Sequence, residues 1–553
     1  MEHPIDHSRP LRVVIIGAGI SGLVSSIRLT QRLPNVTIQI YEKNADIGGT
    51  WYENRYPGCA CDIPAHVYQA TFEPNHNWSE FYASAKEIHQ YWKAVAAKYE
   101  CEHHIKLCHE VVGATWDESR AKWEVKVRNT ESDEIFSDSG DILLSCTGPL
   151  NAWMWPDIPG IHEFKGKLLH SASWDESFDW ENKSIAIIGN GSSGIQLVPA
   201  MLPRSARIDH YIRGKTWIAP PLGSETIAKL GLNEKNKFSF SEEQLAHFQT
   251  NPEAYRAFRK DIEREILGIQ AVTVLNTPAQ QASIPKFTKH MQERLAAKPE
   301  LASSMIPGFA PACRRLTPGP GYLEALVSPK VNVISEAIGS ITENGIITKD
   351  GVHREVDAIV CATGFNTTFQ PRFPLLGRNG MPLSEKWKKN PNTYLSMMTD
   401  QFPNYFVTLG PNGTLVGSLL LLIEKQVDYI TACIAKMQRE NIRVMTPRKS
   451  AVEAFTKFAD KYFETTVFRT KCRSWYKGGS EDGRVVALWP GSAPHALKAL
   501  SQPQWEDFEY EYSDGNETGW LGDGWTQAER TGDFHAWYLD DEHVDVPRLK
   551  GSV

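Results

Sequence analysis

A chain of 553 residues exceeds one hydrophobic core and predicts roughly two to four domains. With 41% apolar and 23% charged residues it is globular in composition, and a net charge of −7 without any long Lys/Arg run excludes nucleic acid as an expected partner. Its longest apolar run, residues 419–423, falls far short of the roughly 20 residues of a membrane span. Residues 1–12 carry no secretory core, and the end Lys550-Gly551-Ser552-Val553 matches no address signal. Nine scattered Cys fit reduced thiols, so a cytoplasmic protein is expected.

In chain order, residues 12–16 (RVVII) predict a buried parallel strand. They run into Gly17-Ala18-Gly19-Ile20-Ser21-Gly22 and then a helix to about residue 32. Gly17 permits the tight turn, Gly19 lets a pyrophosphate approach the backbone, and Gly22 lets the helix pack on the strand. Unpaired N–H groups at the helix start favour the negative charge of a diphosphate. A second strand over 37–41 ends at Glu42, 20 residues beyond Gly22, where a carboxylate can accept both ribose hydroxyls. Together these define a first dinucleotide site. Gly48-Gly49-Thr50-Trp51 follows and resembles a second FAD signature of flavoprotein oxygenases, although a Gly-Gly pair is also an ordinary turn.

Further on comes Phe164-Lys165-Gly166-Lys167-Leu168-Leu169-His170-Ser171-Ala172-Ser173-Trp174-Asp175, of the form F-x-G-x-x-x-H-x-x-x-W-D. A strand over 184–188 then enters a second glycine loop, Gly189-Asn190-Gly191-Ser192-Ser193-Gly194, and a strand over 208–212 ends at Arg213. The place of Glu42 in the first unit is thus taken by a cation, with Lys215 two residues on. A carboxylate there would repel a 2′-phosphate, whereas a guanidinium binds it in a two-point fork, so the second site predicts NADPH over NADH. The plain alternative is a solvated pair of loop cations.

Two dinucleotide sites on one chain imply electron transfer between nucleotides. A disulfide reductase would need a redox dithiol of the C-x-x-C or C-x-x-x-x-C kind, and the only close pair, Cys59 and Cys61, has a single residue between its members.

The residue string 164–175, lying between the two glycine loops, resembles the fingerprint of type I Baeyer–Villiger monooxygenases. Relatives that oxygenate amines and sulfides match up to the His but usually lack the Trp-Asp ending. Cys146-Thr147-Gly148 and Ala362-Thr363-Gly364-Phe365 resemble the family's linker strands, Asn54-Arg55-Tyr56-Pro57-Gly58 with Asp62 its flavin-side loop, and Phe402-Pro403-Asn404-Tyr405-Phe406 with Gly410-Pro411-Asn412 its late FAD loop. Nearly the whole chain is covered. Ala60 departs from the Arg of many relatives, and residues 472–512 resemble the branch that tailors secondary metabolites more than the bacterial members.

The resemblance implies FAD and NADPH as cofactors, with a ketone converted to an ester or lactone using O2. It also implies roles for residues. Arg315, in Arg314-Arg315-Leu316, would stabilise the flavin-borne peroxide anion and the tetrahedral adduct, and Asp62 would hold it. Arg314 would reach the 2′-phosphate beside Arg213. Ile63, Tyr68, Val111, Gln196 and Asn412 join the glycine loops as cofactor-binding residues, and Phe164, Gly166, His170, Trp174 and Asp175 couple domain movement to NADPH handling. A single His beside a linker is otherwise a structural hydrogen-bonder, and proton transfer by His170 is not expected.

The expected fold is α/β: two Rossmann-like domains for FAD and NADPH with a helical insertion. Residues 1–150 and 350–553 form the FAD domain and 151–349 the NADPH domain, with the insertion at 224–310. Asn251-Pro252-Glu253 starts a helix there, with Tyr255, Phe258, Ile262 and Ile266 on one face. Trp217, Trp475, Tyr476 and Trp489 line a pocket or fill a core. The substrate is expected to be a bulky natural-product ketone; the rival readings are a flavin N- or S-oxygenase, a non-oxygenating NADPH oxidase or thiol reductase, and a nucleotide-sensing binding protein. No metal is expected.

Overall fold

The computed structural model describes residues 3–545; the C-terminal tetrapeptide read above lies outside them. Strand β1 (Leu11–Ile16) is buried along nearly its whole length, as its β-branched run requires, and leads into helix α1 (Ile20–Arg32) and strand β2 (Val36–Tyr41). The five-stranded parallel sheet they build runs Tyr405–Val407, Ile142–Ser145, β1, β2, Ile105–Lys106. One edge strand therefore returns from more than 250 residues downstream of its neighbour.

The second glycine-loop unit repeats the plan with strand β3 (Ser184–Ile188), helix α2 (Ser192–Met201) and strand β4 (Arg207–Tyr211). Its parallel sheet runs Val331–Ile334, β4, β3, Ala358–Cys361, Lys167–His170. The expected boundary at 349 needs correcting, since Ala358–Cys361 lies inside this second sheet, between β3 and the strand Lys167–His170. The four residues AIVC are too short and too uniformly apolar to reveal from sequence which sheet they join.

The insertion is helical, and its longest amphipathic member is α3 (Pro252–Gly268). The Asn251 side chain accepts the Ala254 N–H at 3.1 Å and Pro252 occupies the first turn, while Tyr255, Phe258, Ile262 and Ile266 are buried. That face packs on the first unit. The Tyr255 hydroxyl donates to Asn75 O (2.7 Å), accepts from the Gln69 side chain (2.9 Å) and lies 2.9 Å from His66 Nδ1, and Phe240, Phe248 and Phe258 pack edge-on around the His66 ring. The apolar run at 419–423 opens helix α4 (Leu419–Arg439), which packs against α1. No helix among the described residues is long and apolar enough to cross a membrane.

A second correction concerns the cysteines. Cys313 and Cys472, 159 residues apart, are joined in a disulfide with a Cα–Cα distance of 6.5 Å, while the other seven remain free. Such a separation carries no spacing signal, so only the tertiary fold reveals the pair.

Candidate active site between two glycine loops

Each glycine loop requires Gly at its first and last glycine. Gly17 has φ +99° and Gly189 φ +110°, and a Cβ on them would meet Cys146 O at 2.9 Å and Ala362 O at 2.4 Å. On Gly22 and Gly194 it would lie 2.0 Å from the carbonyl of the loop's own first glycine. By contrast a Cβ on Gly191 would meet nothing within 4 Å. The crest of that loop opens onto space, and neither α1 nor α2 has a side-chain cap, so their first N–H groups are available to a phosphate. Ser192 and Ser193 stand in the first turn of α2, and the Asn190 amide donates to Gly214 O at 2.7 Å. These are cradles that fit a dinucleotide diphosphate.

Glu42 is buried at the end of β2, and burial raises its pKa while the Ala18 N–H (2.8 Å) and Asn44 N–H (2.9 Å) oppose that rise. Each oxygen keeps acceptor capacity for a ribose hydroxyl. Gly49 sits against Gly19 and starts the short helix Thr50–Glu53; Trp51 lies edge-on to Tyr68, with ring centroids 5.6 Å apart. Ile63 and Val111 are buried alongside the first sheet.

Two of the expected cofactor-binding amides also make bonds within the protein. Gln196 accepts from the Tyr56 hydroxyl (2.7 Å) and donates to Ala60 O (2.9 Å), which fastens the loop of Asn54 to Gly58 onto α2. Asn412 donates to Val485 O and Leu488 O at 3.1 and 2.9 Å.

At the junction of the units, Arg315 and Asp62 form a two-point pair: Nε donates to Oδ2 at 2.9 Å and Nη2 to Oδ1. Burial opposes the charge of Arg315, but the Asp62 carboxylate outweighs it and holds the guanidinium pKa above its usual value. The pair opens on a cavity whose walls include Ile63, Leu222, Ile266, Val416 and Tyr476. Burial pushes the Tyr476 phenol up to about 12, with Arg315 pulling the other way. Of the four aromatics expected to line a pocket or fill a core, Tyr476 reaches this cavity, whereas Trp217 and Trp489 are core residues.

Arg314 lines the same cavity and donates to Lys215 O at 3.2 Å, which ties it to the loop after β4 that carries Arg213. Its Nε is buried with no partner, an unmet donor that fits an anion. The Lys215 ammonium instead donates to Ser303 O at 2.6 Å.

The segment 164–175 wraps the edge of the second sheet. A Cβ on Gly166 would meet Asp357 O at 2.5 Å, and Asp175 closes on Lys167 in an ion pair that, with the Ser177 hydroxyl, lowers its pKa to about 2. Phe164 and Trp174 are buried. The His170 ring stacks on Trp153, its Nδ1 accepts the Ala172 N–H (3.1 Å), and its Nε2 lies 3.2 Å from the Thr363 hydroxyl. Burial lowers its pKa to about 4, so the ring is neutral near pH 7. Thr363, in the returning linker, is a partner no sequence signal pointed to. Cys59 and Cys61 are free, and burial raises both thiols, Cys59 to about 12; neither is a thiolate. No cluster of metal ligands occurs among the described residues.

The family of NAD(P)-binding Rossmann-like domains matches residues 15–85. The FAD-binding monooxygenase tazF of Aspergillus terreus is 39% identical over 530 residues, spanning 95% of this chain and 93% of that protein. A Baeyer-Villiger monooxygenase of Pseudomonas aeruginosa is 32% identical over 491 residues, 88% of each chain. Among solved structures, cyclohexanone monooxygenase from Rhodococcus bound to NADP+ superposes with a TM-score of 0.78 at 26% identity, over 91% of this chain and all of that one.

Proposed function

Because the chain belongs to the type I Baeyer–Villiger monooxygenases, FAD- and NADPH-using enzymes, we propose that it inserts one oxygen atom of O2 beside the carbonyl of a bulky natural-product ketone, giving an ester or lactone. The observation that supports this reading is the Arg315–Asp62 pair, with Arg315 on the wall of a cavity lined by Ile63, Leu222, Ile266, Val416 and Tyr476. Bound FAD, with NADPH as reductant, would supply the activation of O2.

The chain's residues supply the rest. The first loop, from Gly17 to Gly22, with Glu42, would hold the FAD diphosphate and ribose; the second, from Gly189 to Gly194, would hold that of NADPH, with Arg213 and Arg314 toward the 2′-phosphate. Arg315 carries a permanent positive charge into a partly dry site, where negative charge develops on the oxygens during attack on a carbonyl. Asp62 fixes the direction of the guanidinium, so no reorganisation is needed when that charge forms. The apolar walls from Ile63, Leu222, Ile266 and Val416 exclude water from the reacting atoms. His170, neutral and hydrogen-bonded through both nitrogens, holds the linker and moves no proton.

The substrate class rests on the resemblance of residues 472–512 to the tailoring branch. Incubating the FAD-loaded enzyme with NADPH, O2 and a panel of polycyclic ketones should yield products one oxygen heavier that hydrolyse as esters. A panel of amines and sulfides converted instead, with every ketone untouched, would overturn the reading in favour of heteroatom oxygenation.

A further inference from the structure

Arg473 lies in a C-terminal segment that no nucleotide motif covers, yet the fold brings it to the second nucleotide unit. Cys313 and Cys472 are bonded, and each is followed by an arginine, Arg314 and Arg473. Arg314 is tied to the loop after β4 through its bond to Lys215 O, and its Nη1 lies 3.8 Å from the place a Cβ on Gly214 would take. Arg473 spends only its Nε, on Gly479 O at 2.9 Å, and its side chain is exposed.

We propose that Arg473 is a third arginine of the 2′-phosphate site, beside Arg213 and Arg314, and that the Cys313–Cys472 disulfide is what places it there. Two observations support an anion among them. The Arg314 Nε is buried and unpartnered. Burial and then the charges of Arg473 and Arg213 lower the Arg314 pKa, and Glu481, the acidic group that opposes them, does so more weakly. Three like charges held together are relieved by a dianionic phosphate. The disulfide thereby couples the enzyme's preference for NADPH to the state of two sulfurs. A phosphine opens it by taking the oxygen of one water molecule as phosphine oxide, and the two hydrogens of that water end on the sulfurs as two thiols.

This inference rests on the reading of the second unit as the NADPH site, and the test separates the two. NADP+ and NAD+ are titrated by calorimetry into FAD-loaded enzyme, as wild type, Arg473→Ala, Arg473→Lys and the double variant Cys313→Ser/Cys472→Ser. Wild type is also titrated after phosphine treatment, with opening of the disulfide verified by alkylation and mass. Arg473→Ala should weaken NADP+ about tenfold while NAD+ changes less than about twofold. Arg473→Lys should recover part of that loss, and the opened or Cys-free proteins should reproduce it. Equal weakening of both nucleotides, or an unchanged NADP+ affinity in Arg473→Ala, overturns the role of Arg473. A selective loss on Arg473→Ala that neither opened form reproduces overturns the role of the disulfide. Wild type that binds NAD+ as tightly as NADP+ contradicts the NADPH reading itself.

Discussion

At the scale of single residues, charge placement decides what the site can do. Arg315 is forked onto Asp62 at the wall of an apolar cavity, and the carboxylate fixes its direction. Asp62→Asn keeps the shape but removes the charge that holds the guanidinium. We expect product formation to fall about tenfold or more while NADPH still reduces the flavin at near wild-type rate, both read in a rapid-mixing instrument. His170 gives the opposite expectation. Its pKa of about 4 removes it from titration near neutrality, so His170→Asn should leave any rate inflection between about pH 6 and 8 in place. A lost inflection would show that this ring does transfer protons.

Among the elements, the two strand–loop–helix units are closely packed at Gly17, Gly22, Gly189 and Gly194, where no side chain fits. Gly194→Ala would drive a Cβ into Gly189 O, a backbone atom that cannot swing aside. A loss of roughly 2–4 kcal/mol of stability is expected, together with loss of NADP+ binding, as measured by denaturant unfolding and nucleotide titration. The edge strand Lys167–His170 shows how the fingerprint couples elements. Gly166 lets it pass Asp357, Asp175 returns to Lys167, and His170 reaches Thr363 in the linker. The string from Phe164 to Asp175 thus clasps the edge of the second sheet.

For the whole molecule, burial of neutral histidines ties stability to acidity. His66, His170 and His210 have pKa values lowered to about 3, 4 and 4 from 6.5, each chiefly by burial. Between about pH 6.5 and 4 the unfolded chain therefore binds more protons than the folded one, so their contribution is full above pH 6.5 and is lost as pH falls toward 4. His210, held between Ile187 O and the Tyr322 hydroxyl, accounts for on the order of 3 kcal/mol of that fall. Unfolding curves for His210→Asn should therefore show a shallower acid limb than wild type, whatever their height at neutral pH.

What was legible in the sequence follows from range. Both glycine loops, Glu42, Arg213 and the start of α3 were readable because turn sterics, helix capping and strand periodicity act within about 30 residues. The strand Ala358–Cys361, the Cys313–Cys472 bond and the Thr363 partner of His170 were not, because each is set by packing between segments distant in the chain. Gln196 and Asn412 were placed by resemblance, and their amides bond to backbone carbonyls and Tyr56.

The most direct test of the central claim replaces Arg315 by Ala and follows the two halves of turnover separately, NADPH-driven bleaching of the flavin and oxygenated product per NADPH consumed. Bleaching should stay within about twofold of wild type, and product should fall by about a hundredfold or more. Product formation left near the wild-type level in a variant that still bleaches would contradict that claim.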